Sequence, residues 1–319
     1  MKTEFLTIRA EIIHAVRDFF RKNGYLEVDT PLLGKKLIPE SSIQYFSARY
    51  NAFEMDENLY MIPSPEIWMK KLIADGSGNI FQICKSFRNG EPFDRIHNPE
   101  FTMLEYYSIG KNYMDSINIT EELFEYLQKH FLSDALKTPF EKISMESAFR
   151  QFAGIELLSL MERDVLAGEA ERIGIFPDTE DTWEQIFHKI FLTRVEPALE
   201  KDKCVVLYNY PARINTLAKK IKGTPWSERW EIYIRGIELA NCYTEETGKK
   251  EVSDFFREQT QEREKKNYPV CTDESFPEIF THGFPECSGV AMGIDRLIML
   301  ITGAHQIDDV IAFPFNDFL

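Results

Sequence analysis

Among the 319 residues, the positions best suited to chemistry are acidic side chains set between apolar ones. In Phe101-Thr-Met-Leu-Glu-Tyr-Tyr107, strand alternation places Phe101, Met103, Glu105 and Tyr107 on one face. A carboxylate in that company is costly unless a cation meets it, either an amine-bearing substrate or an internal Lys or Arg. In Trp230-Glu-Ile-Tyr-Ile-Arg-Gly-Ile-Glu-Leu-Ala-Asn241, Arg235-Gly236 reads as a two-residue hairpin turn. Tyr233 then faces Glu238, and Glu231 is its diagonal neighbour, roughly 7–8 Å away. Two such carboxylates would hold a hard cation or form part of a solvated sheet face. Regular alternation turns Asn241, Tyr243 and Glu245 to the other face, and only a bulge would return them.

Two arginines sit near these runs. Arg88 leaves the apolar run Ile80 to Phe87, and Arg296 starts a helix after Ser288-Gly-Val-Ala-Met-Gly-Ile294. Guanidinium groups beside close-approach glycines suit phosphate oxygens, although a structural arginine would look the same. Glu66, after Pro63-Ser-Pro65, opens a helix, where a first-turn carboxylate is favoured in any case. No G-x-x-x-x-G-K-[ST], G-x-G-x-x-G, G-x-S-x-G or H-E-x-x-H run occurs. A nucleotide must therefore be held by other means than the common loops.

The elements that must position these residues follow from periodicity. Ile8, Ile12, Ile13, Val16, Phe19 and Phe20 predict an amphipathic helix over 7–23, stopped by Gly24. A short strand over 25–30, a hairpin over 43–61 and a strand-loop-strand over 80–107 come next. Residues 114–200 are mainly helical in period and read as an insertion within a single 1–319 domain. Strands at 204–208 and 230–241, a charged helix over 251–267, a helix over 295–302 and a strand over 310–314 complete the chain. Adjacent strand pairs and blocked helices indicate an α+β fold with a mainly antiparallel sheet flanked by helices.

Composition narrows the function. With 37 Lys+Arg against 52 Asp+Glu, the net charge is −15, which opposes nucleic acid as the main partner. The five cysteines are scattered without a C-x-x-C pair and suit a reducing cytoplasm. Charges interrupt the first twenty residues, and no run of about 18 uncharged apolar residues exists, so neither a signal peptide nor a membrane partner is expected.

Three segments in order resemble the three motifs of class II aminoacyl-tRNA synthetases. They are the helix leading to Thr30-Pro31, Phe87-Arg88 with His97-Asn-Pro-Glu-Phe-Thr-Met-Leu-Glu105, and Gly289-Val-Ala-Met-Gly-Ile-Asp-Arg296. Ser64-Pro-Glu66 and Glu238-Leu-Ala-Asn241 resemble the lysyl branch. Cys287-Ser-Gly-Val-Ala-Met-Gly293 and the absence of room for an anticodon-binding barrel are most similar to its truncated relatives, which attach (R)-β-lysine to a lysine of elongation factor P.

That resemblance implies ATP and Mg²⁺, lysine or (R)-β-lysine as substrate, elongation factor P as acceptor rather than tRNA, and a homodimer. It implies catalytic roles for Arg88 and Arg296, with Glu91, His97, Asn98, Phe101 and Glu238 also around ATP. Glu231 and Glu238 would hold the metal, and Glu66, Glu105, Tyr107, Asn241, Tyr243, Glu245 and Ala291 would enclose the amino acid. The family loop reads Phe-Arg-x-Glu, whereas Arg88-Asn-Gly90-Glu91 has Gly at the Glu position, so Glu91 would serve after a shift. A stand-alone lysyl transferase acting on tRNA or another acceptor, and a non-catalytic regulator that binds a diamine or nucleotide, are the competing classes.

Overall fold

The computed structural model describes residues 3–91 and 94–317. Its strands are β1 (Leu26–Glu27), β2 (Leu33–Gly34), β3 (Ser47–Ala52), β4 (Met55–Met61), β5 (Ile80–Phe87), β6 (Glu100–Ile109), β7 (Glu141–Ser144), β8 (Val205–Pro211), β9 (Trp226–Ile234), β10 (Ile237–Thr244) and β11 (Cys287–Gly293). The helices are α1 (Thr3–Lys22), α2 (Glu66–Ala74), α3 (Tyr113–Gln128), α4 (Met145–Ala148), α5 (Arg163–Arg172), α6 (Trp183–Ile190), α7 (Lys249–Lys265) and α8 (Ile294–Thr302).

Eight strands form one sheet in the order β1-β5-β6-β11-β10-β9-β8-β7, and β2-β4-β3 form a small second one. Interior pairings are antiparallel, and only the edges, β1 on β5 and β7 on β8, are parallel. The fold is therefore α+β with a mainly antiparallel sheet. Alternation then decides which face does what. Phe81, Tyr106, Trp230, Ile232 and Val290 point to one side, where α1, α3 and α8 bury them with Ile12, Phe20, Leu123 and Leu297. Phe20 stacks on Phe81 at 5.1 Å and leans on Tyr106 at 4.7 Å. The residues one step along each strand face the other way, where the candidate site lies.

Residues 114–200 divide by position. Helix α3 packs in the main core, β7 joins the sheet, and α4 to α6 build a second core with Val205, Leu207 and Tyr233. Two strand expectations are corrected. In the 25–30 stretch only Leu26 and Glu27 join the ladder. The 310–314 segment is not a strand, because Val310 closes a helical turn at φ −109° and ψ −3°. Val310 and Ile311 are buried against the helical core, Phe313 is exposed, and the Val310 carbonyl accepts from Arg9 Nη1 at 3.3 Å.

Candidate active site

Register lines up two rows on this second face. One runs Gln82, Glu105, Ala291, Asn241, Glu231; the next runs Ile80, Tyr107, Gly289, Tyr243, Arg229. Asn241 and Tyr243 belong there because β10 carries a bulge between Glu238 and Ala240. The extra residue restores the face that simple alternation would have reversed. Arg235 and Gly236 form the hairpin turn at φ +52° and +72°, and Tyr233 pairs with Glu238 as the sequence indicates.

All seven residues proposed for the amino acid line one narrow cavity of about 80 Å³. Lys70, fully buried one turn along α2, lies 2.5 Å from Glu66 Oε1 and 2.7 Å from Glu245 Oε2. The internal cation thus serves Glu66 and Glu245, not Glu105. Glu105 Oε1 accepts from Tyr107 Oη at 2.7 Å, while its buried Oε2 has no donor among the described residues. Burial, then the nearby charge of Glu66, hold the Glu105 carboxyl well above its ordinary range. Glu40, on the same wall, is pushed up to about 7 by burial and by Glu66. Glu245 also reaches about 7, raised by burial and held back by Lys70. Four carboxylates face Lys70 and Arg88 here, an excess that a diamine would neutralise.

Gly289 makes the cavity possible. A Cβ there would collide with Glu245 Oε1 and Tyr107 Cε1. Gly289→Ala should keep the fold, at about 1–3 kcal/mol of overpacking, and should raise the diamine KM by about 10–200-fold, the range a single methyl commands in a pocket. Thermal unfolding and pyrophosphate-exchange kinetics measure the two effects, and an unchanged KM would contradict this placement.

A second cavity, of about 320 Å³, adjoins the first, and Arg88, Met103, Asn241 and Ala291 line both. Arg88, Glu91, His97, Asn98, Phe101, Glu238 and Arg296 all lie on its wall. The Arg88 guanidinium sits 5.4 Å over the Phe101 ring and 3.6 Å from Glu91, with its buried Nε unpartnered among the described residues. Gly90 explains the altered loop. It sits at φ +77° with Gln44 Oε1 2.8 Å from where a Cβ would be, so the turn excludes a side chain and brings Glu91 round to Arg88. His97 Nδ1 lies 2.9 Å from Asp94 Oδ1. The Asn98 amide is committed to Glu100 O and the Phe315 amide, so it shapes the wall. Arg296 donates to Ile96 O at 3.2 Å and Glu238 O at 2.7 Å, tying the loop to the bulge.

The two carboxylates proposed for a metal are unlike. Glu238 faces the second cavity and is pushed up to about 7 by burial and by Glu231. Glu231 lies beneath, accepting from Tyr210 Oη at 2.5 Å, Tyr233 Oη at 2.7 Å and Arg229 Nη2 at 2.5 Å.

Residues 1–317 match the family described as tRNA synthetases class II (D, K and N). The chain belongs to this class II synthetase family. It is 36% identical to an elongation factor P–(R)-β-lysine ligase of Yersinia enterocolitica over 311 residues, 96% of this chain and 93% of that one. Ligases of the same description from Avibacterium paragallinarum and Salmonella arizonae are 37% and 36% identical, over 98% and 97% of this chain and 95% and 94% of theirs.

Within this class II synthetase site, several contributors escape sequence reading. Lys70 is four residues from Glu66 on one helix face, a spacing that signals the pair but not its burial. Glu40 and Arg229 lie in stretches without a motif. Arg9 and Asp295 are 286 residues apart in sequence yet 2.5 Å apart in space.

Proposed function

We propose that this enzyme activates (R)-β-lysine, or lysine, with ATP as an aminoacyl-adenylate and transfers the acyl group to a lysine side chain of elongation factor P. The carrying observation is the carboxylate-rich cavity built around Lys70 and joined to the arginine-lined cavity at Arg88. The diamine's two ammonium groups meet Glu105 and the Glu66–Glu245 side, which leaves its carboxylate at the junction. Arg88 then faces both the attacking carboxylate and the α-phosphate, where negative charge develops, while Phe101 and Arg296 hold the nucleotide. Positioning supplies most of the rate, since no covalent enzyme intermediate is needed. Glu238, with Glu231 as its like-charged neighbour, suits a hard divalent cation, and these residues would hold Mg²⁺. When bound, the ion would offset charge on the phosphates.

The acidic net charge of −15 favours a protein acceptor over tRNA. A homodimer through α1 and β1 is supported by Leu6, Leu26, Leu32 and Leu33, exposed at 37–56% around that edge. Sedimentation would read this out, and a monomer would remove it. Among the described residues no helix is long and apolar enough to cross a membrane. All five cysteines are free thiols, which agrees with a cytoplasmic enzyme.

The test is ATP–pyrophosphate exchange dependent on (R)-β-lysine or lysine, followed by labelling of elongation factor P without tRNA. Exchange with tRNA charging and unmodified elongation factor P would overturn the acceptor. The same assay carries a pH prediction. Below about 7, Glu40 and Glu245 hold protons that a dication must displace, so the diamine KM should rise as pH falls from 8 to 6. Without ligand the sign reverses for stability. Carboxyls raised in the folded state stabilise at acid pH and lose that contribution as pH climbs through about 7.

A further inference from the structure

A third cavity, of about 320 Å³, opens beside the diamine cavity, sharing Glu40, Glu66 and Tyr243 with it and no residue with the nucleotide cavity. Its far wall is α6, where the exposed side chains of Glu184 and His188 lie 3.7 Å apart, and Phe255 and Gln259 of α7 close another side. The proposed reaction has three substrates. With two cavities taken by ATP and the diamine, a protein lysine needs its own path to the acyl carbon, and an acidic opening suits an ammonium group.

Glu40 stands where the second path meets the diamine cavity. Its amide donates to Tyr45 Oη at 3.2 Å, and its carbonyl accepts from Arg263 Nη1 at 2.6 Å. Arg263 is itself completely buried and also donates to Ile43 O at 2.7 Å. The backbone is therefore pinned, yet the Glu40 carboxylate makes no hydrogen bond or ion pair among the described residues. Facing it are Glu66 and Lys70 of α2, Arg88 beyond β5, Arg263 of α7, Tyr45 of its own loop and Tyr243 of β10.

We propose that Glu40 is the base of the transfer step, taking a proton from the ε-ammonium of an acceptor lysine that enters between α6 and α7. This rests on the function proposed above. The neutral amine's lone pair forms the C–N bond to the acyl carbon. The C–O bond to phosphate breaks, AMP leaves with its electron pair, and the second nitrogen proton passes to solvent as the amide forms. A carboxyl held near 7 accepts a proton readily at neutral pH, whereas an ordinary carboxylate is a weaker base.

The experiment uses the full chain with preformed aminoacyl-adenylate and two nucleophiles, elongation factor P and hydroxylamine, whose nitrogen is uncharged at neutral pH. Glu40→Gln should slow transfer from the preformed adenylate to elongation factor P by about 10²–10⁴-fold, flatten its pH profile near neutrality, and slow release to hydroxylamine by far less, a split between nucleophiles that weakened diamine binding alone would not produce. Equal loss toward both nucleophiles, or none toward either, would overturn the assignment to Glu40. Absence of exchange in the unaltered enzyme would instead remove the functional reading itself. Glu184→Arg should raise the KM for elongation factor P severalfold more than the diamine KM, and equal KM values before and after would close this route.

Discussion

Arg88→Ala is expected to lower pyrophosphate exchange by at least about 10²–10³-fold, the loss typical of removing one aimed electrostatic donor. Arg88 lines both cavities and is the charged residue they share, so its guanidinium is placed to meet both the proposed amino acid and the proposed nucleotide. Its resting contacts are weak by comparison. The Glu91 oxygen is 3.6 Å away, both side chains are about a third exposed, and the Phe101 contact is a ring face. Removing it should therefore leave the unfolding midpoint nearly unchanged. Arg88→Lys separates charge from geometry, because an ammonium cannot reproduce the two-pronged guanidinium contact. Exchange within tenfold of the unaltered enzyme in Arg88→Ala would remove Arg88 from the phosphate.

The legible part of this protein was what local periodicity encodes. The alternation in β6 places Glu105 and Tyr107 on one face, and the Arg235-Gly236 turn sets Tyr233 against Glu238, both from local spacing alone. The bulge is not legible in this way, since one extra residue in β10 leaves no mark in a single sequence. Glu40 and Lys70 were invisible for a different reason. Their importance comes from burial beside carboxylates distant in sequence, such as Glu245, and burial is a tertiary property. The 310–314 stretch failed because an apolar run can be satisfied by a helical core as well as by a ladder.

Asp295→Ala should be the most destabilising single change considered, by about 3–5 kcal/mol, because it strands a partner of a buried ion pair. Asp295 is 2% exposed and meets Arg9 Nη1 at 2.5 Å, while its other oxygen accepts from the Thr102 amide at 2.6 Å. Arg9 also donates to Thr102 Oγ1 at 2.8 Å and to Val310 O at 3.3 Å. One carboxylate thus ties α1, β6, α8 and the C-terminal segment together beneath Phe101 and beside Arg296. Its loss should appear in denaturant unfolding as a lower midpoint, and in exchange kinetics as a higher KM for ATP. Arg9→Met tests the cause. If the cost comes from an unpaired buried charge, the Arg9→Met, Asp295→Ala double variant should recover part of the stability lost by Asp295→Ala alone. Strictly additive losses would show instead that the two residues stabilise the fold through separate contacts.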